Sequence, residues 1–160
     1  MLDQNHESKP SIRGNILIVD DVAANLRLVR DTLIHQGYTV RSCTRGAMAL
    51  RGAKAAKPDL ILLDIKLPDA DGYEICKQLK ADEQTADIPV IFLSALNTTV
   101  DKVEGLAAGG VDYITKPFHI PELLARVETH LEDDILDSNH EKLLEMPQLN
   151  PHDLQVMLKE

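Results

Sequence analysis

The strongest constraint in this 160-residue chain is a set of short apolar runs that each stop abruptly at a polar residue. Leu60-Ile61-Leu62-Leu63 has no polar break and ends in Asp64. Ile16-Leu17-Ile18-Val19 ends in Asp20-Asp21, and Val90-Ile91-Phe92-Leu93, introduced by Pro89, ends in Ser94. Such runs fit strands covered on both faces, as in a parallel sheet between two layers of helices. Taken alone, four apolar residues also fit a buried helical turn, so the segments between the runs decide. Those segments read as helices. Leu26, Val29 and Leu33 recur at helical spacing before Gly37. Residues 46–56 are alanine-rich and stop before Pro58, residues 73–80 place Ile75 and Leu79 on one side, and residues 99–108 close at Gly109-Gly110. Residues 38–43 alternate as a further strand, and residues 111–115 read as a fifth, ending in Lys116-Pro117. Pro121 suits the first turn of a last helix, from Glu122 to about Leu131, with Leu123, Leu124, Val127 and Leu131 on one side.

This alternation predicts an α/β fold of (βα)5 type, a doubly wound five-stranded parallel sheet with helices on both faces and right-handed crossovers. The carboxyl ends of the strands then open on one edge, where such sheets place their ligands. That edge collects Asp20, Asp21, Asp64, Ser94 and Lys116. Each is ordinary alone, and Asp64 by itself reads as the first residue of a loop. Together they form a cluster of three carboxylates that repel one another and call for a cation. Hard oxygen ligands suit magnesium, or manganese, rather than zinc. Lys116 supplies a positive charge and Ser94 a hydroxyl for phosphoryl oxygens. No P-loop glycine pattern is present to hold a nucleotide. The chemistry that fits is phosphoryl transfer onto a carboxylate, with Asp64 attacking in line.

Composition narrows the partners. A formal charge of −9 argues against direct nucleic-acid binding, and about two-thirds of it lies after Leu131. Cys43 and Cys76 show no metal or redox spacing and read as small core residues in a reducing compartment. There is no apolar stretch of transmembrane length and no signal peptide, so the expectation is a cytoplasmic protein without membrane insertion. Residues 1–14 are polar and read as a flexible lead, and residues 15–131 as the domain. Residues 132–160 read as an acidic extension or linker, short and helical or flexible. There Asp137-Ser138-Asn139 is expected to break the last helix, and Leu143, Leu144 and Met146 to form a short capped segment. This extension is too short and too acidic for a winged-helix or helix-turn-helix unit, so no DNA-binding output domain is expected.

Residues 15–131 resemble the receiver domain of two-component response regulators. The resemblance rests on Ile16-Leu17-Ile18-Val19-Asp20-Asp21 with Asn25, and on Asp59-Leu60-Ile61-Leu62-Leu63-Asp64 followed by Leu67-Pro68-Asp69-Ala70-Asp71-Gly72. It rests also on Pro89-Val90-Ile91-Phe92-Leu93-Ser94-Ala95 and on Gly109-Gly110-Val111-Asp112-Tyr113-Ile114-Thr115-Lys116-Pro117-Phe118. All five functional positions of that family are filled in order. The resemblance implies a flavodoxin-like fold and a signalling domain rather than an enzyme. It implies Asp64 as phosphoacceptor, Asp20, Asp21, Asp64 and the Lys66 backbone carbonyl as the magnesium site, Ser94 and Lys116 as phosphate contacts, and a cis peptide at Lys116-Pro117. The implied donor is a sensor histidine kinase or a histidine phosphotransfer protein. The implied switch pairs Ser94 with Tyr113. The implied output is a downstream protein or a second copy of the chain, contacted through residues 97–131. The departure is Lys66, where the family often has a neutral residue. Its side chain, with Leu96 across the site, is expected to alter the lifetime of the phosphoryl group. Two alternatives stand beside this reading. One is a receiver fragment of a larger hybrid kinase or multidomain regulator. The other is a metal-dependent phosphatase with Asp64 as nucleophile, although such enzymes want a second acid where Lys66 stands.

Overall fold

The computed structural model describes residues 13–95 and 99–143. Five strands, β1 (Asn15–Val19), β2 (Thr39–Cys43), β3 (Leu60–Asp64), β4 (Val90–Ser94) and β5 (Asp112–Thr115), alternate with five helices, α1 (Ala23–His35), α2 (Gly46–Ala55), α3 (Gly72–Ala81), α4 (Thr99–Ala107) and α5 (Ile120–Leu143). All strand pairs are parallel, in the order β2-β1-β3-β4-β5. The three unbroken apolar runs are the three inner strands, and the mixed ones are the two edges. Inner strands of a parallel sheet are covered on both faces and so carry apolar residues at every position. Every residue of β3 and β4 is buried.

Side chains alternate along each strand, which divides the core in two. Ile16, Ile18, Leu60, Leu62, Ile91, Leu93 and Ile114 pack against Val29 and Leu33 of α1 and against Leu123, Val127 and Leu131 of α5. Leu17, Val19, Ile61, Leu63, Val90, Phe92 and Tyr113 pack against Ala49 and Ala53 of α2 and against Tyr73, Ile75, Cys76 and Leu79 of α3. Cys43 and Cys76 are free and buried, as small apolar residues.

Helix ends follow local signals. After α1, Gly37 takes φ +99°; its amide donates to Ile34 and that of Tyr38 to Leu33, which satisfies two terminal carbonyls. After α4, Gly109 takes φ +105°, with amide bonds from Gly109 to Leu106 and from Gly110 to Gly105. At the start of α3, the Asp71 carboxylate accepts from the Tyr73 amide at 2.8 Å. The Lys116–Pro117 peptide is cis, as the family resemblance implied.

The last helix differs from expectation. It starts at Ile120 and runs without a break through Asp137, Ser138 and Asn139 to Leu143. These three residues are only mildly unfavourable in a helix interior, and without proline or glycine they do not end one. The expected segment around Leu144 and Met146, the lead 1–12, and Leu96 and Asn97 lie outside the described residues.

Gly72 marks a close approach between two backbone segments. A Cβ built there would sit 2.7 Å from Ile65 Cα and closer still to the Asp64 carbonyl oxygen. Because both neighbours are backbone, no rotamer change relieves the contact. Gly72→Ala is therefore expected to destabilise the fold by about 1–3 kcal/mol, read as a lower urea midpoint at unchanged m-value.

Candidate functional site

The sheet ladder continues one residue beyond the strands, and this fixes the edge. Asp20 N donates to Cys43 O at 3.2 Å, Ile65 N to Leu93 O at 3.2 Å, and Lys116 N to Ser94 O at 2.8 Å. The backbones carrying Asp20, Asp64, Ser94 and Lys116 are thus hydrogen-bonded into one rim. Alternation then aims the side chains. Asp64 continues the face of Leu60 and Leu62, Asp20 that of Ile16 and Ile18, and Lys116 that of Ile114. Ser94 follows Val90 and Phe92 toward the opposite layer.

Asp20, Asp64 and Lys116 meet. Lys116 Nζ lies 3.0 Å from Asp20 Oδ2 and 3.1 Å from Asp64 Oδ2. Asp20 is fully buried, Asp64 and Ser94 nearly so, and Asp21 is exposed. The outer oxygens are held by local amides: Val22 N donates to Asp20 Oδ1 at 2.9 Å, and Lys66 N to Asp64 Oδ1 at 3.3 Å. Burial pushes the Asp64 carboxyl above its ordinary range, and the Asp20 charge adds to this; Lys116 and the Lys66 amide offset only part. For Lys116, burial works against the charged form, but the two carboxylates outweigh it and hold the ammonium above its ordinary value.

A hard divalent cation fits this group. Asp20, Asp21 and Asp64 each offer a carboxylate oxygen, all within 4.8 Å of one another. Asp20 Oδ2 is buried without an assigned hydrogen bond among the described residues, and Lys116 Nζ lies 3.0 Å from it. An ionised oxygen in that position has electrostatic attraction without its full coordination. Among the described residues no backbone amide donates to the Lys66 carbonyl either. Three carboxylates and a carbonyl are oxygen donors of the kind magnesium takes. The Lys66 side chain is exposed.

Tyr113 lies behind Ser94, one layer into the core. It is buried, its ring centroid is 6.3 Å from that of Phe92, and its hydroxyl has no hydrogen-bond partner among the described residues. Beside it, Phe92, Lys102, Gly105, Leu106, Val111 and Arg126 line a cavity of about 320 Å³ between α4, β5 and α5.

Two arrangements were not foreseen from the sequence. Arg126 Nη1 contacts both Asp112 oxygens, at 2.7 and 2.9 Å, and His130 Nε2 lies 2.9 Å from Asp112 Oδ2, tying α5 to β5. Burial alone would raise the Asp112 carboxyl, but His130 and Arg126 together hold it below the usual carboxylate range. The Asp69 carboxylate reaches from the loop after β3 to the first amides of α2, 2.8 Å from Gly46 N and 3.1 Å from Ala47 N. The Arg126 and His130 pattern, four residues apart on one helix face, carries a faint signal; contact with Asp112 does not follow from it.

Comparisons with known proteins agree with this geometry. The family model for the response regulator receiver domain matches residues 16–128. The DNA-binding dual master transcriptional regulator RpaA of Synechocystis is 46% identical over 116 residues, which is 72% of this chain and 48% of that protein. Other curated relatives are covered over 26% to 58% of their length, so the chain spans about half or less of most of them. The receiver domain of Francisella response regulator 1452 superposes with a TM-score of 0.71 at 33% identity, over 76% of this chain and 98% of that one. The receiver domain of sensor histidine kinase PA1611 from Pseudomonas aeruginosa, with magnesium coordinated in its active-site cleft, gives a TM-score of 0.69 at 33% identity, over 74% of this chain and 98% of that one.

The direction of the Asp64 shift has a consequence for stability. An acid that holds its proton more tightly in the fold than in the unfolded chain lowers stability once ionised, so stability falls as pH rises through its range. Without divalent metal at neutral pH, Asp64→Asn is expected to raise the urea midpoint above that of the wild type. A lower midpoint would mean that the Lys116 pair, not burial, dominates Asp64.

Proposed function

The chain belongs to the response regulator receiver domain family, and on that premise we propose that Asp64 accepts a phosphoryl group from the phosphohistidine of a sensor kinase or phosphotransfer protein. Receiver domains are signalling domains rather than enzymes acting on small substrates, and they bind magnesium in an acidic pocket. The observation that carries the reading is the buried Asp64 carboxylate at the rim, with Lys116 3.1 Å away and Asp20 and Asp21 beside it.

An Asp64 oxygen attacks phosphorus as the bond from phosphorus to the donor imidazole nitrogen breaks. The electron pair leaves with that nitrogen, and an acyl phosphate forms on Asp64. Lys116, already charged and half-buried, moves its contact from the Asp64 oxygen to a phosphoryl oxygen. The Ser94 hydroxyl donates to another. Asp20, Asp21, Asp64 and the Lys66 carbonyl would hold magnesium, or manganese, and that ion supplies neutralisation of charge on the group in transfer.

Output follows as a population shift between two arrangements. Ser94 turns toward the phosphoryl group and vacates space in front of Tyr113. Tyr113, whose hydroxyl has no partner among the described residues, occupies that space, and the surface of residues 97–131 changes with it. The groove beside Tyr113 is where a downstream protein or a second copy would read the change. We place residues 15–131 as the receiver, 1–14 as a lead and 132–160 as an extension. Among the described residues no helix is long and apolar enough to cross a membrane, and a cytoplasmic site of action fits the kinase partner. The alternative of a phosphatase finds no support in the site, because Lys66 stands where a second acid would be needed.

Incubation with acetyl phosphate and magnesium, followed by intact mass measurement, is expected to show one added phosphoryl group in the wild type and none in Asp64→Asn. Adduct on Asp64→Asn, or none on either, would overturn the assignment. Lys66, exposed two residues after Asp64, is proposed to impede the attacking water. Lys66→Met is then expected to shorten the adduct lifetime several-fold, and equal lifetimes would remove that role.

A further inference from the structure

The loop between β3 and α3 is closed on itself. Gly72 N donates to Ile65 O, and Leu67 N donates to Ala70 O at 3.1 Å, so Lys66 and Asp71 face each other as in a short antiparallel bridge. Lys66 therefore sits inside a small hairpin whose tip is Pro68-Asp69. One end of the hairpin is anchored by Gly72 against the Asp64 backbone. What anchors the tip is Asp69, through its two bonds to the Gly46 and Ala47 amides.

The other partner explains why this contact exists. Helix α2 begins after Arg45, in the cap position, and Arg45 makes no side-chain cap bond. An arginine cannot accept from the free amides of the first turn, and its charge opposes the positive end of the helix. The deficit at α2 is met by an acid from a different loop. The bonds from Gly46 and Ala47 hold the Asp69 carboxyl below the usual range. Gly46 fixes the fit as well: a Cβ there would lie 2.6 Å from Ile75 Cδ1 and 3.2 Å from Ala70 Cβ. The first turn of α2 thus lies directly on the loop that follows Asp64. Cys43, the last residue of β2, joins the rim through its carbonyl, which accepts from Asp20 N.

We infer that Asp69 is a positioning residue for the phosphoacceptor site: by capping α2 from the loop tip, it holds the hairpin that carries the Lys66 carbonyl, which would be a cation ligand, and the Lys66 amide bonded to Asp64 Oδ1. This rests on the receiver reading above. Removing the carboxylate leaves α2 uncapped and frees the tip while leaving Asp20, Asp21, Asp64 and Lys116 in place. Outer partners that orient ligands typically change metal affinity tenfold or more.

The test is magnesium affinity measured by calorimetry, alongside the magnesium dependence of phosphorylation by acetyl phosphate, both on the full chain. Asp69→Ala is expected to raise the half-saturating magnesium concentration roughly tenfold, with a plateau rate within about twofold of wild type. Asp69→Asn retains a side-chain oxygen for one of the two amides and is expected to recover at least half of that shift on a logarithmic scale. A merely structural role would lower the plateau, through a smaller folded fraction, and leave the midpoint alone. An unchanged midpoint in Asp69→Ala, or a shift that Asp69→Asn does not reduce, would overturn the inference. Failure of the wild type to take up phosphate would count against the receiver reading instead, which keeps the two separable.

Discussion

The site depends on one ammonium shared between two buried carboxylates. Asp20 and Asp64 stand at the ends of the innermost strands, where the sheet supplies little water to solvate them. Such groups stay charged only if a partner meets them. Lys116 does so from the far side of β4, and it can because the ladder carries its backbone onto the same rim through Ser94 O. Yet the balance is incomplete. Three carboxylates and one ammonium leave two negative charges at the rim, and one buried oxygen of Asp20 is without an assigned hydrogen bond among the described residues. A divalent cation closes that deficit in both charge and coordination.

Much of this was legible because the physics is local. An unbroken apolar run has few uses in a chain of this size, and the polar residue that ends it marks the strand's carboxyl end. Of the residues so marked, Asp20, Asp64 and Lys116 meet. Edge strands were legible for the opposite reason: Thr39–Cys43 and Asp112–Thr115 mix polar and apolar residues because only part of each is covered. What escaped were features set by pairs distant in sequence. Asp69 lies 23 residues from Gly46, and nothing near Asp69 says which helix it caps. The one clue is an arginine at a position where a helix wants an acceptor. The end of α5 was misread for a different reason. Asp, Ser and Asn favour helix starts, but in mid-helix their preference is too weak to stop a helix already propagating.

The proposed switch sits in a crowded setting that restricts how it can move. Phe92 lies between Tyr73 of α3 and Tyr113 of β5, with ring centroids 5.1 and 6.3 Å away. Glycines stand at 105 and 110 because a Cβ at either would press on the Phe92 ring. Phe92 therefore packs against glycine backbone on one side and rings on two others. In the proposed switch, Tyr113 moves between the Ser94 side and the cavity beside α4. Close packing of this kind turns a small displacement into a choice between discrete positions.

The two ends of that choice are held by forces of different strength. On the active-site side the restraints are backbone hydrogen bonds, a capped helix and a glycine with no spare room. On the output side, the Asp112, Arg126 and His130 contacts join β5 to α5 with partly exposed side chains. Arg126 and Asp112 retain 39% and 21% of their side-chain exposure. Ion pairs in such positions contribute about 0.2–1 kcal/mol and weaken with salt. A perturbation at Asp64 meets a stiff frame nearby and a soft one across the sheet. The Asp112, Arg126 and His130 contacts are therefore the softer part of the frame around the proposed switch.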